Sequence, residues 1–143
     1  MKLSIFIDKN REEEIQIFAH EETELILKIK SLLGDYSSQI YGFKEKEIYP
    51  LKISDIYCFS AENNKVYAIT EKDRFLLKER LYTIEKNLSR DFIKINKSCI
   101  ANIQKIERFE AVISGTIMVK FKNGHTDYVS RRSVKAVRER LGF

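Results

Sequence analysis

Tryptophan is absent from the 143-residue chain, which also has one proline, five glycines, two histidines and two cysteines. Each scarcity removes a class of function. His20 and His125 lie 105 residues apart, and no spacing in the sequence supplies two metal ligands from one helix or turn. Glycines at 34, 42, 115, 124 and 142 form neither GxGxxG nor GxxxxGK[ST], and no GxSxG elbow occurs. The reading is therefore of a protein that is not an enzyme and needs no cofactor. Cys58 and Cys99 stand in apolar segments with no CxxC or Cys/His cluster, which predicts buried, reduced thiols. Apolar runs are short as well. The N-terminal MKLSIFIDKN is interrupted at Asp8, too early for a signal-peptide core or a membrane span, and the expected location is cytoplasmic.

Charge is abundant, and it is unevenly placed. Of all residues, 33% are charged and 43% hydrophobic, a foldable composition, with 26 basic against 21 acidic side chains. Residues 1–50 hold 7 basic and 10 acidic groups, whereas residues 51–143 hold 19 and 11, a net of +8. From residue 90 onward the counts are 12 and 5. Such an asymmetry calls for a polyanionic partner of the C-terminal part, either nucleic acid or an anionic membrane surface. The length excludes two full-sized cores.

Residues 2–8 and 14–20 alternate apolar and polar positions through Leu3, Ile5, Ile7 and Ile15, Ile17, Ala19, which predicts a hairpin across the polar link between them. The period then changes: Leu25, Ile29, Leu32 and Leu33 share a helical face, acidic residues crowd the first turn, and Gly34 is the expected stop. Residues 1–37 thus read as a ββα unit too small to be stable alone. From residue 39 short strands follow one another across polar turns, which implies antiparallel pairing. One short helix interrupts them at 80–88, and Asn123-Gly124 marks a hairpin between 116–121 and 126–129. A basic helix with an apolar stripe of Val134, Val137 and Leu141 closes the chain, with Ser130 as the expected N-cap.

Several turns collect the residue types that neutralise phosphates or hydrogen-bond to adenine and guanine edges. Lys65 follows Asn63 and Asn64; Lys94, Asn96 and Lys97 surround the end of another strand; Arg131 and Arg132 begin the last helix. Each also has a plainer reading as a solvated surface.

The order of residues resembles the LytTR family of bacterial transcription regulators. The resemblance opens on LKISDIYCFSAENNKVY (51–67), continues through Phe75-Leu76-Leu77 and the Leu81, Glu85, Leu88 helix, and is most distinctive in FIKINKSCIANI (92–103). There the family usually has an aromatic-Arg/His-His-x-Ser pattern before an Asn. Ile95-Asn96-Lys97 departs from it at the middle positions, while Ser98, Asn102 and the apolar frame agree. Tyr128-Val129-Ser130-Arg131-Arg132 and the final stripe are similar too.

The resemblance implies a mostly β (α+β) fold: an elongated stack of short antiparallel strands with a central helix and a C-terminal helix. It divides the chain into an N-terminal unit, 1–45, and a DNA-binding domain, 46–143. It implies loops, not a recognition helix, reaching successive major grooves of repeated promoter elements in double-stranded DNA. Carried over by position, contacts fall at Asn64 and Lys65, at Asn96, Lys97 and Ser98, and at Arg131 and Arg132. Most such regulators carry a phosphoacceptor receiver domain, for which residues 1–37 lack both length and an acidic pocket. The N-terminal unit is then expected to form a homodimer, to cover the β domain, or to meet a small inhibitory membrane protein of the kind encoded with similar regulators. A rival reading is a ligand-sensing or protein-interaction β module, with a cavity lined by Tyr57, Phe59, Tyr67 and Phe75.

Overall fold

A computed structural model describes residues 2–11, 14–37 and 39–143, with backbone alone for residue 31 and residues 33–37. The order of elements is α1 (Glu24–Ser37), β1 (Gln39–Lys44), β2 (Glu47–Lys52), β3 (Cys58–Glu62), β4 (Lys65–Ile69), β5 (Arg74–Leu77) and α2 (Leu81–Lys86). There follow β6 (Phe92–Asn96), β7 (Cys99–Asn102), β8 (Ile106–Ala111), β9 (Ile117–Phe121), β10 (Thr126–Val129) and α3 (Arg131–Leu141). Seven strands form one antiparallel sheet in the order β2-β1-β5-β4-β3-β7-β6, and three form a second, β10-β9-β8. The mostly β architecture expected from the sequence is what the chain adopts.

Alternation along the central strands creates two cores. Phe59 of β3, Ile100 of β7 and Phe92 of β6 face one way, into a cluster completed by Leu81 and Ile84 of α2 and by Val66, Ala68, Phe75 and Leu77. Cys58, Cys99, Ala101, Ile93 and Ile95 face the other way and meet Ile117, Val119 and Phe121 of β9, Val129 of β10 and Val137 of α3. A period of two on strands buried on both sides produces this division directly. β3, β7 and β6 are consequently the middle layer, and their ends are held from both sides. Both cysteines are free and fully buried. Tyr57 belongs to one core and Phe59 and Phe75 to the other, so the cavity imagined for a ligand-sensing module does not form from these residues.

The first 20 residues depart from expectation. Among the described residues, 2–11 and 14–20 carry no strand ladder, and Leu3, Ile5, Phe6 and Ile7 are 76–91% exposed. Helix α1 runs to Ser37, three residues past the glycine expected to end it. A single glycine inside a helix costs only about 1 kcal/mol relative to alanine, which neighbouring turns can offset. β1 pairs along its whole length with β2 and touches β5 through Phe43 and Leu76, so residues 39–44 join the large sheet although they precede the boundary expected at 45.

Gly42 shows why β1 sits so close. A Cβ there would lie 2.5 Å from the Phe75 Cβ and 2.6 Å from a Leu51 methyl carbon. Gly42→Ala is expected to destabilise the domain by about 1–3 kcal/mol, the usual range for overpacking, and a urea denaturation midpoint equal to wild type would refute this close approach.

Candidate nucleic-acid interface

The hairpin joining β3 to β4 has two central residues, Asn63 and Asn64, with φ of 50° and 63°. Two left-handed residues make the tight turn whose twist matches that of the flanking strands, and asparagine tolerates that conformation better than most side chains. The turn presents Asn63, Asn64 and Lys65 to solvent.

The second turn, Lys97-Ser98, joins β6 to β7 with Asn96 paired to Cys99. β6 carries one extra residue between Lys94 and Asn96, a bulge that re-aims the strand end. Because Ser60 of β3 pairs with Cys99 of β7, the first two turns lie side by side, and the Ala61 N–H donates to the Ser98 carbonyl at 2.8 Å.

The third element is the junction of β10 with α3. The Ser130 N–H donates to the Ile95 carbonyl at 2.9 Å, fixing the helix start beside the bulged end of β6. Ser130 holds the N-cap position, but its hydroxyl bonds to the Ser133 hydroxyl at 3.0 Å and caps no backbone N–H. The helix start therefore keeps free donors beside the exposed Arg131 and Arg132, an arrangement suited to phosphate oxygens.

Asn96 joins the second element to the third. Its side-chain N–H groups donate to Asp127 Oδ1 at 2.9 Å and to the Tyr128 carbonyl at 2.8 Å, while its Oδ1 accepts the Ser98 N–H at 2.8 Å. Asp127 Oδ1 also accepts the Tyr128 N–H at 2.8 Å. At 2% exposure, Asn96 has its amide committed inside the protein. It differs in this from the other residues carried over by position: Asn64, Lys65, Lys97, Arg131 and Arg132 are exposed and Ser98 is half-buried.

The charge at these turns is free to act. Lys94 is 3.7 Å from Glu85 and Arg74 is 3.3 Å from Glu62, whereas Lys65, Lys97, Arg131 and Arg132 have no ion pair among the described residues. Beneath the turns, contact with Cys99 and with His125 draws the buried Cys58 thiol down to about 7, and contact with Cys58 pushes His125 up. The same contact and burial raise Cys99. Asp127 escaped the sequence reading, in which Tyr128 enters only as part of the family resemblance and Ser130 only as that and a helix cap, not as partners of Asn96 and Ile95. Their partners are some thirty residues away in sequence, beyond any local spacing.

Three helices, each separated from the next by five strands, leave no helix-turn-helix among the described residues. No described helix is long and apolar enough to cross a membrane.

Comparison with known proteins bears on the family and the fold. A family model described as the LytTr DNA-binding domain matches residues 46–142. Proteins of Staphylococcus aureus named as uncharacterized HTH-type transcriptional regulators are 38% identical (strain NCTC 8325 / PS 47) and 39% identical (bovine strain RF122 / ET3-1). Both alignments cover 100% of this chain and 99% of the relative. A solved LytTr DNA-binding domain from Bacillus cereus superposes with a TM-score of 0.70 at 25% identity, covering 74% of this chain and 98% of its own. With its double-cored stack of antiparallel strands and a family match over two thirds of its length, the chain belongs to the LytTr DNA-binding domain family.

Proposed function

We propose that the protein is a sequence-specific, DNA-binding transcriptional regulator that reads repeated promoter sites through three linked turns. The observation that carries this reading is the convergence of Asn64-Lys65, Lys97-Ser98 and Arg131-Arg132, joined by hydrogen bonds and bearing cations without ion-pair partners among the described residues. Lys65, Lys97 and Arg131 neutralise phosphates. Asn64 and Arg132 reach base edges, where an amide pairs with adenine and a guanidinium with guanine. Ser98 adds a hydroxyl to the backbone. Asn96 acts from below, holding the second and third turns in one spacing. Family membership and the names of the Staphylococcus relatives point the same way. Control falls to the acidic N-terminal unit, by self-association or by a small inhibitory membrane protein such as accompanies similar regulators.

Lys97→Ala tests the phosphate role. Each neutralised phosphate contributes about 0.9 to the slope of log K against log salt. Titrations of fluorescent promoter DNA at several salt concentrations are expected to show the slope reduced by roughly one for this variant, on specific and random DNA alike. An unaltered slope would remove Lys97 from the interface.

A further inference from the structure

Residues 2–8 have the alternation of a half-buried strand, yet their apolar side chains belong to neither hydrophobic core. Intrachain pairing with residues 14–20 is poorly served by the sequence. The register that sets Leu3, Ile5 and Ile7 against Ala19, Ile17 and Ile15 puts Asp8 directly opposite Glu14, two like charges. Pairing with a second copy has the opposite character. Antiparallel alignment of 2–8 with itself, centred on Ile5, sets Lys2 opposite Asp8 at both ends, Leu3 opposite Ile7 twice, and Ile5 opposite Ile5. Six aliphatic side chains then share one face, and the two Lys2–Asp8 ion pairs lie at the ends of the opposite face, outside Ser4 and Phe6. This is the self-complementarity that a two-fold interface requires, since each contact must occur twice.

We infer that residues 2–8 form a self-pairing strand through which two copies of this chain associate as an isologous dimer. Residues 14–20 offer a weaker version, in which Glu14 faces His20 and no lysine or arginine closes the ends. The first segment is therefore the pairing strand. The exposure of Leu3, Ile5 and Ile7 in the single chain is what the partner strand relieves. The association does not depend on DNA, and it would supply the two DNA-binding bodies that a repeated site calls for.

Sedimentation velocity of the full chain at neutral pH and micromolar concentration tests the inference. The wild type is expected at twice the 16.9 kDa chain mass. Ile5→Glu places two carboxylates against each other on the two-fold axis and is expected to weaken the dimer about tenfold or more. Lys2→Glu alone, which sets Glu against Asp8, is expected to weaken it as well. Lys2→Glu combined with Asp8→Lys restores opposite charges and is expected to return the dissociation constant to the wild-type range. Under mild oxidation Ile5→Cys is expected to cross-link two chains, with Cys58 and Cys99 too buried to compete. All three positions lie outside both cores, so unchanged thermal unfolding serves as the control for folding. A monomeric wild type, a dimer indifferent to Ile5→Glu, or a double charge reversal no tighter than Lys2→Glu would overturn the proposal.

Discussion

Arg132→Ala is expected to weaken binding to specific promoter DNA by about 1–3 kcal/mol, the usual size of one base-reading contact, or roughly fivefold to more than a hundredfold in affinity. Random DNA should lose much less, because only the charge is missed there. Arg132 is exposed, without an ion-pair partner among the described residues, and stands at the start of α3, which the Ser130–Ile95 hydrogen bond fixes to the end of β6. A guanidinium held this way has its fork free for the two acceptors of a guanine edge. Arg132→Lys separates shape from charge. A lysine keeps the phosphate attraction but loses the planar pair of donors, so it is expected to recover the salt dependence and not the specificity. Gel-shift titration at matched salt decides the matter: wild-type specific affinity in the alanine variant would sink the assignment.

Asn96→Ala has the second large effect, through another route. The amide links Asp127, the Tyr128 carbonyl and the Ser98 N–H within hydrogen-bonding distance, at a site 2% exposed. Truncation leaves these groups without their partner in a place water reaches poorly, costing about 1–3 kcal/mol of folding stability. It also unties the second turn from the third. The ratio of specific to random DNA affinity is therefore expected to fall even where the variant remains fully folded. The salt slope should stay near wild type, since no cation is lost. Denaturant melts and paired titrations on the two DNAs measure both quantities. A variant with reduced stability but an intact affinity ratio would leave Asn96 with a folding role alone and remove it from the positioning of the turns.

The two asparagines of FIKINKSCIANI illustrate what a sequence can reveal here. Asn102 is 2% exposed, donates to the Ile56 carbonyl at 2.9 Å and accepts the Gln104 N–H at 3.0 Å, so it anchors the turn after β7. Asn96, six residues earlier, was legible as a polar residue at a strand end and by resemblance as a DNA contact. Its burial was not, because Asp127 and Tyr128 reach it only once β10 lies beside β6. The strands themselves were legible because a period of two recurs between polar turns and Asn-Gly marks one hairpin. Cys58 and Phe59, adjacent and both apolar, carried the hint of a sheet covered on both faces.

The N-terminal segment misled the same reasoning. Alternation in residues 2–8 and 14–20 signals strand character but does not name the partner strand, and a hairpin is only the nearest choice in sequence. Charge register, Asp8 against Glu14 within one chain or Lys2 against Asp8 between two, supplies the missing information. Ser130 is a smaller case: the sequence located the cap position, while the hydroxyl's choice of Ser133 depended on local rotamers.

Selection of binding sites from a random DNA pool by the purified full chain, followed by affinity measurement across salt concentrations, tests the central claim most directly. The expected result is enrichment of a repeated element, bound far more tightly than random DNA, with affinity falling steeply as salt rises. Recovery of no common element, or binding indifferent to salt, would contradict the assignment of these three turns to promoter recognition.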